Sequence, residues 1–391
     1  MHLITMVVAG TFAASAIAAG TAPREDLYTP LIAVAPYPTT QPVQGTDGKY
    51  HAVYELRLTN AKPVDATLSS VAVVDARDAR KVYATYGSAD FEKRLRLMSN
   101  RPGPATLKDS EERLLLIDLT FDRREDVPQA VLHRFVFTGA PAPGRGTNPV
   151  PYDYAIAQVT MDRKLPIVVG PPLSGAGWVS YNGCCGIDGA HRASTQPVNG
   201  DLYYAQRFAI DFIRIDQAGM AIKGNEADVA SYPGYGADVR AVADGIVIDM
   251  LNTQDDQTPP KLPDPSTITL QNVDGNHVVV DIGGSRYAFY AHFRKGSIPV
   301  KVGDRVKRGD LLGKLGNTGN SSAPHLHFHI MDGPSVLGSN GVPYVFEQFS
   351  YTGQVPAPLA DDMAKSWSTA LFPTPQVRRN QLPLNYAITT F

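Results

Sequence analysis

GNTGNSSAPHLHFHI, residues 316–330, is the stretch on which the reading of this chain turns. It places His325, His327 and His329 at a spacing of two, behind a turn rich in Gly, Asn and Ser. Alternate residues of a β-strand share a face, so the three imidazoles are expected to point the same way. Imidazole is a common zinc ligand and a common general base. Packing alone is a poor reason for three on one face. Six of the nine histidines lie between residues 191 and 329, so the chemistry is expected in the second half of the chain.

Outward from the histidine run the pattern stays β-rich. LYYAQRFAIDFIRI (202–215), VRAVADGIVIDML (239–251), NHVVVDIGG (276–284) and SRYAFYAHF (285–293) read as strands. VGDRVKRGDLLGKLGNTG (302–319) sets small apolar residues between tight turns, as in compact barrel-like folds. NTQDDQTPPKLPDPS (252–266) is a Pro/Asp-rich insertion, expected as a surface loop. Upstream, residues 27–165 read as an all-β, sandwich-like domain. HAVYELRLTN (51–60), ERLLLIDLTF (112–121) and AVLHRFVFTG (130–139) are its clearest strands, with a short helix expected over 88–100. His51 and His133 sit inside those strands and read as structural. The link falls near 165–178. The tail, 351–391, predicts one helix over 360–372 and a terminal strand that packs back on the body.

Composition sets outer limits. A chain of 391 residues is long enough for two or three cores. A net charge of −2 offers no basic field for nucleic acid. Leu3 to Ala18 is apolar and Ala-rich and ends in Ala16-Ile17-Ala18, which predicts a signal peptide over 1–19 and a secreted or periplasmic protein. The segment is short for a membrane span. The only cysteines, Cys184 and Cys185, are adjacent. A bond between neighbours cannot staple distant parts of a fold, so stability must come from burial.

One ordered set of motifs carries a resemblance. It comprises the Asp of AIDF (Asp211), VRAVADGIVI, GNHVVV, YAHF with His292, VGDRVKRGDLLGKLGNTG, and PHLHF. Over roughly 175–350 the chain resembles the lysostaphin-type (LytM-like) zinc metallopeptidases, which are cell-wall endopeptidases. The resemblance implies an open antiparallel β-sheet groove. It implies one zinc ion held by a His, an Asp and the second His of HxH, with two further histidines assisting the attacking water. Carried over, Asp211 and His327 become metal ligands, and His292 and His325 the catalytic pair. In that pair His325 is the base and His292 the partner of the tetrahedral intermediate. The implied activity is secreted hydrolysis of peptide bonds, in bacterial peptidoglycan or another extracytoplasmic peptide.

The family's first motif, His-x3-Asp, reads Arg207-Phe208-Ala209-Ile210-Asp211 here. Arginine has no lone pair to offer a metal. His191 is the best substitute. Asn199-Gly200 signals a hairpin that sets His191 opposite Phe208, or opposite Ala209 if a bulge intervenes. Only the second register brings it to the face of Asp211. His329 is the other candidate, as a ligand or as a residue orienting one. Arg207 has two readings, an ion pair with Asp211 or a site for a substrate carboxylate. Asn317, Thr318 and Asn320 line the groove or merely build its turn. An alternative to the enzyme therefore stays open: a catalytically degenerate module that binds cell-wall peptide or a partner enzyme.

Overall fold

The computed structural model describes residues 26–187 and 189–391; the expected signal segment lies outside them. Its first part is a β-sandwich. One sheet orders Leu31–Val34, Tyr50–Asn60, Glu112–Phe121 and Leu95–Arg96. The other orders Thr39–Thr40, Val150–Met161, Ala130–Gly139, Ala66–Asp75 and Val82–Tyr86. Ala130–Gly139 alternates between inward buried and outward residues, the pattern expected of a strand with one wet face. Leu56, Leu115, Val71, Phe135 and Phe137 fill the space between the sheets. The helix expected over 88–100 forms as Ser88–Arg94.

Tyr50–Asn60 breaks the alternation and is buried on both faces along its middle. Ala52, Tyr54, Leu56 and Leu58 face the sandwich core. Val53, on the opposite face, belongs to the core of the second half. The sandwich is thus packed against the rest of the chain through this strand.

The second half is built on one 11-stranded sheet. Its central order is Trp178–Tyr181, Ile210–Arg214, Leu326–Met331, Arg286–Ala291, His277–Gly283 and Gly245–Leu251, all antiparallel. Period two sorts the side chains. Ile210, Phe212, Leu326, Phe328, Ile330, Ala288, Tyr290, Val278 and Val280 point into the main core. The residues between them face a groove. The tail joins the same sheet: Leu371–Gln381 pairs with Tyr344–Gln354, and Ala387–Thr390 pairs with both Tyr344–Gln354 and Trp178–Tyr181.

The helix expected over 360–372 does not form. That stretch holds only the end of a four-residue turn of helix, Ala357–Ala360, and a 3-10 turn, Ser368–Ala370. Trp367 explains the difference. Its side chain is fully buried beside Val179, Ile213 and Ile215, and its amide donates to the Gly219 carbonyl at 2.8 Å. That tertiary burial overrides a local propensity worth well under ~1 kcal/mol per residue. Cys184 and Cys185 are bonded to each other and buried in the main core, in the loop that leads to His191.

Candidate metal centre and active site

A row of directly paired residues crosses the groove face of the sheet: Tyr181 with Asp211, Asp211 with His327, His327 with Ala291, and Ala291 with His277. Asp211 and His327 are therefore cross-strand neighbours, and His327 Nδ1 lies 2.9 Å from Asp211 Oδ1. Val279, Phe289, Ala291 and Met331 form the apolar floor beside them.

His191 also reaches this point, but not by the register expected. The Asn199-Gly200 hairpin is real, with Val198 opposite Asp201 and positive φ at both turn residues. It ends at Gln196 and Tyr203. His191 lies outside it, in the 3-10 turn Ala190–Ala193. Its Nδ1 faces the carbonyls of Asn182 at 3.1 Å and Ala209 at 3.2 Å. Nδ1 therefore carries the proton, and Nε2 presents its lone pair 3.4 Å from Asp211 Oδ2. The ligand atoms of His191, Asp211 and His327 all lie within 4.8 Å of one another, and all three residues are buried.

Two more histidines border the cluster. His292 follows the end of its strand in a left-handed conformation, φ 66°. Its Nδ1 donates to the Thr318 carbonyl at 2.7 Å. His325 Nδ1 donates to the Ala323 carbonyl at 2.8 Å, and its Nε2 lies 3.4 Å from Asp211 Oδ1. The two rings are 4.5 Å apart. Each therefore turns Nε2 free of backbone partners. His329 does not join the ligand cluster. Its Nδ1 sits 3.0 Å from His327 Nε2, where it would accept the His327 proton whenever His327 Nδ1 holds a metal.

Glycine loops hold this arrangement. Gly275, at φ 66°, abuts the Thr318 carbonyl so closely that a Cβ there would fall 2.5 Å from its carbon. Thr318 Oγ1 accepts from the Asn276 amide at 2.8 Å and donates to the Phe293 carbonyl at 3.0 Å. Asn317 donates to Gln257, in the Pro/Asp-rich insertion, at 2.9 Å. Asn317 and Thr318 are fully buried, so they build the turn and do not line the groove. Asn182, which the sequence did not single out, donates to Asp211 Oδ2 at 2.8 Å. Its one signal was an Asn-Gly step after a strand.

Electrostatics divide the imidazoles around one carboxylate: burial opposes the charge of His325, but Asp211 outweighs it and raises the His325 pKa, whereas three others are lowered. Burial pushes His191 down to about 4, against the opposing pull of Asp211. Burial, with His325 and His327 nearby, takes His292 well below the ordinary value, and burial with His327 does the same to His329. Burial opposes the charge on Asp211, but His191 and His325 more than offset this and hold the carboxyl well below the usual range. Two imidazoles and one carboxylate converging on a point are a fitting donor set for zinc.

Arg207 corrects both of its expected roles. It neither pairs with Asp211 nor stands free for substrate. Its guanidinium grips Glu55 of the sandwich, with Nε 3.0 Å from Oε1 and Nη2 2.6 Å from Oε2.

Comparisons with known proteins agree with the motifs. Residues 227–339 match the family described as Peptidase family M23. Glycyl-glycine endopeptidase ALE-1 of Staphylococcus capitis is 35% identical over 110 residues, 28% of this chain and 25% of that protein. Peptidoglycan DD-endopeptidase ShyA of Vibrio cholerae is 42% identical over 57 residues, 15% of this chain and 13% of that protein. The chain thus spans a quarter or less of the length of these relatives. The solved catalytic domain of lysostaphin from Staphylococcus simulans is 24% identical, over 43% of this chain and 86% of that one, at a TM-score of 0.22. The family match covers His292, His325, His327 and His329 and begins after Asp211. His191 and Arg207, like Asp211, lie outside the matched residues.

Proposed function

We propose that this chain, whose residues 227–339 are a Peptidase family M23 domain, is a secreted zinc metalloendopeptidase acting on peptide bonds of bacterial peptidoglycan. One observation carries the reading. His191 stands beside Asp211 and His327, within 4.8 Å, where Arg207 had left a ligand missing. The names of the relatives, a glycyl-glycine endopeptidase and a peptidoglycan DD-endopeptidase, support the substrate class. The apolar N-terminal sequence supports the location, and no helix among the described residues is long and apolar enough to cross a membrane.

In this reading His191 Nε2, one Asp211 oxygen and His327 Nδ1 would hold the zinc. When bound, zinc supplies Lewis acidity, polarising the scissile carbonyl and making water acidic enough to attack near neutral pH. The groove floor of Phe289, Ala291 and Val279 excludes water beneath the substrate backbone. His325 and His292 manage the protons as a pair. Both have Nδ1–H committed to a backbone carbonyl, so either can accept a proton only at Nε2. His292 can donate to an oxyanion only after it has been protonated there. The neutral member takes the proton of the attacking water, the carbonyl carbon becomes tetrahedral, and the resulting imidazolium stabilises the oxyanion. The same proton then goes to the leaving amine as the C–N bond breaks.

The test is digestion of purified peptidoglycan with the zinc-loaded chain, scored by newly released amino groups. Release that stops with a chelator and returns with zinc is expected. An undigested substrate with one zinc bound would favour the binding module instead.

A further inference from the structure

His191 is held by a turn that belongs to no sheet, and the residue after it explains what fixes that turn. Arg192 is buried, and its guanidinium enters the sandwich. Nη1 pairs with Glu55 Oε1, and Nη2 donates to the carbonyls of Tyr54 at 2.8 Å and Ile117 at 3.0 Å. Tyr54 and Ile117 are paired across adjacent strands, so the arginine is anchored to rigid sheet. Glu55 is 2% exposed and takes both Arg192 and Arg207. Three residues on, Thr195 is hydrogen-bonded to the Asn100 side chain of the sandwich at 2.6 Å. The segment that delivers His191 is therefore pinned from the side of the sandwich. On the peptidase side, His191 faces the carbonyls of Asn182 and Ala209, the carboxylate of Asp211 and the ring of His327.

We infer that the N-terminal sandwich is a working part of the metal centre, with Glu55 and Arg192 as positioning residues that hold His191 as the third ligand. The inference rests on the zinc-peptidase reading above. A carboxylate buried between two guanidiniums gives the bidentate, directional geometry that fixes position. Arg207 is accounted for in the same terms. The position that ordinarily supplies a histidine supplies half of the clamp, and the histidine arrives from the turn the clamp holds.

The experiment uses the full chain and measures zinc affinity by competition with a chromophoric chelator, alongside thermal unfolding and the visible spectrum of the cobalt-substituted protein. Arg192→Met and Glu55→Gln are expected to weaken zinc binding by about 10–100-fold, the usual scale for residues that orient a ligand. They should also shift the cobalt spectrum as His191→Ala does. Arg207→Met removes the other arm of the clamp but leaves Arg192 on Glu55, and it is expected to lower thermal stability and to weaken zinc binding less than Arg192→Met does. In a His191→Ala background, Arg192→Met should cost no further affinity. Should Arg192→Met fail to fold, Glu55→Gln, which keeps an acceptor in place, carries the measurement. Folded Arg192→Met and Glu55→Gln proteins with parental zinc affinity would overturn the inference while leaving the metal centre intact. So would an undiminished Arg192 effect without His191. A parent that binds no zinc, or a His191→Ala protein that binds it as well as the parent, would instead remove the reading on which the inference stands.

Discussion

Replacing Gly275 by alanine tests whether the glycine loops set the geometry of the active site. The new Cβ would lie 2.5 Å from the Thr318 carbonyl carbon. Carbon atoms pack at about 3.5 Å or more, so Thr318 and Gly275 must part by about 1 Å. Thr318 cannot yield freely, because its hydroxyl is tied to Asn276 and Phe293. Its carbonyl is the acceptor that fixes His292, so the ring loses its 2.7 Å hydrogen bond or moves with it. The φ of 66° adds about 1–2 kcal/mol of left-handed strain, and overpacking adds about 1–3 kcal/mol. A stability loss of about 2–5 kcal/mol is therefore expected. A displacement of about 1 Å at a reacting group costs about a hundredfold in rate. The assay is peptidoglycan hydrolysis at saturating zinc, with zinc content and thermal unfolding on the same sample. The variant should keep its zinc and lose about two orders of magnitude in turnover. Full turnover in Gly275→Ala would refute the claim that the Thr318 carbonyl holds His292 in its working position.

Other perturbations separate the remaining roles. His327→Ala should abolish both zinc binding and hydrolysis, whereas His325→Ala should keep zinc and lose turnover; a His325→Ala protein of undiminished activity contradicts its assignment. His329→Phe removes the acceptor for His327 Nε2, and zinc affinity should fall about 10–100-fold, as read by chelator competition. In the sandwich, burial opposes the charge of His51, but Asp118 and Asp47 outweigh it and raise its pKa from 6.5 to about 9. A raised pKa stabilises the fold fully below pH 6.5 and ceases to do so as pH rises through about 9. About 3 kcal/mol of stability should be lost across that window, and urea denaturation at several pH values should show the loss in the parent but not in His51→Gln.

What the sequence made legible was what local rules govern. The strands around PHLHF follow period two, so Asp211 and His327 share a face with each other and with His329. The histidine missing at Arg207, and His191 as the candidate to replace it, were visible as a conflict between motif and chemistry. The path of His191 was not visible, because a 3-10 turn fixed by Arg192 has no periodic signature. Nor was the partner of Arg207, since Glu55 is 152 residues away. In retrospect Tyr50–Asn60 carried a trace of it, as a charged residue in the middle of a strand buried on both sides. Trp367 shows the converse, where a locally helical stretch opened because one large side chain found a deeper site.

The metal's position decides whether His191 is a ligand. Crystals of the zinc-loaded chain, measured at the zinc absorption edge, should show one anomalous peak about 2.0–2.2 Å from His191 Nε2, an Asp211 oxygen and His327 Nδ1. His292 and His325 should stand beside the ion without bonding to it. No peak at this position, or an ion bound with His191 turned away from it, would contradict the claim that the turn histidine completes the centre.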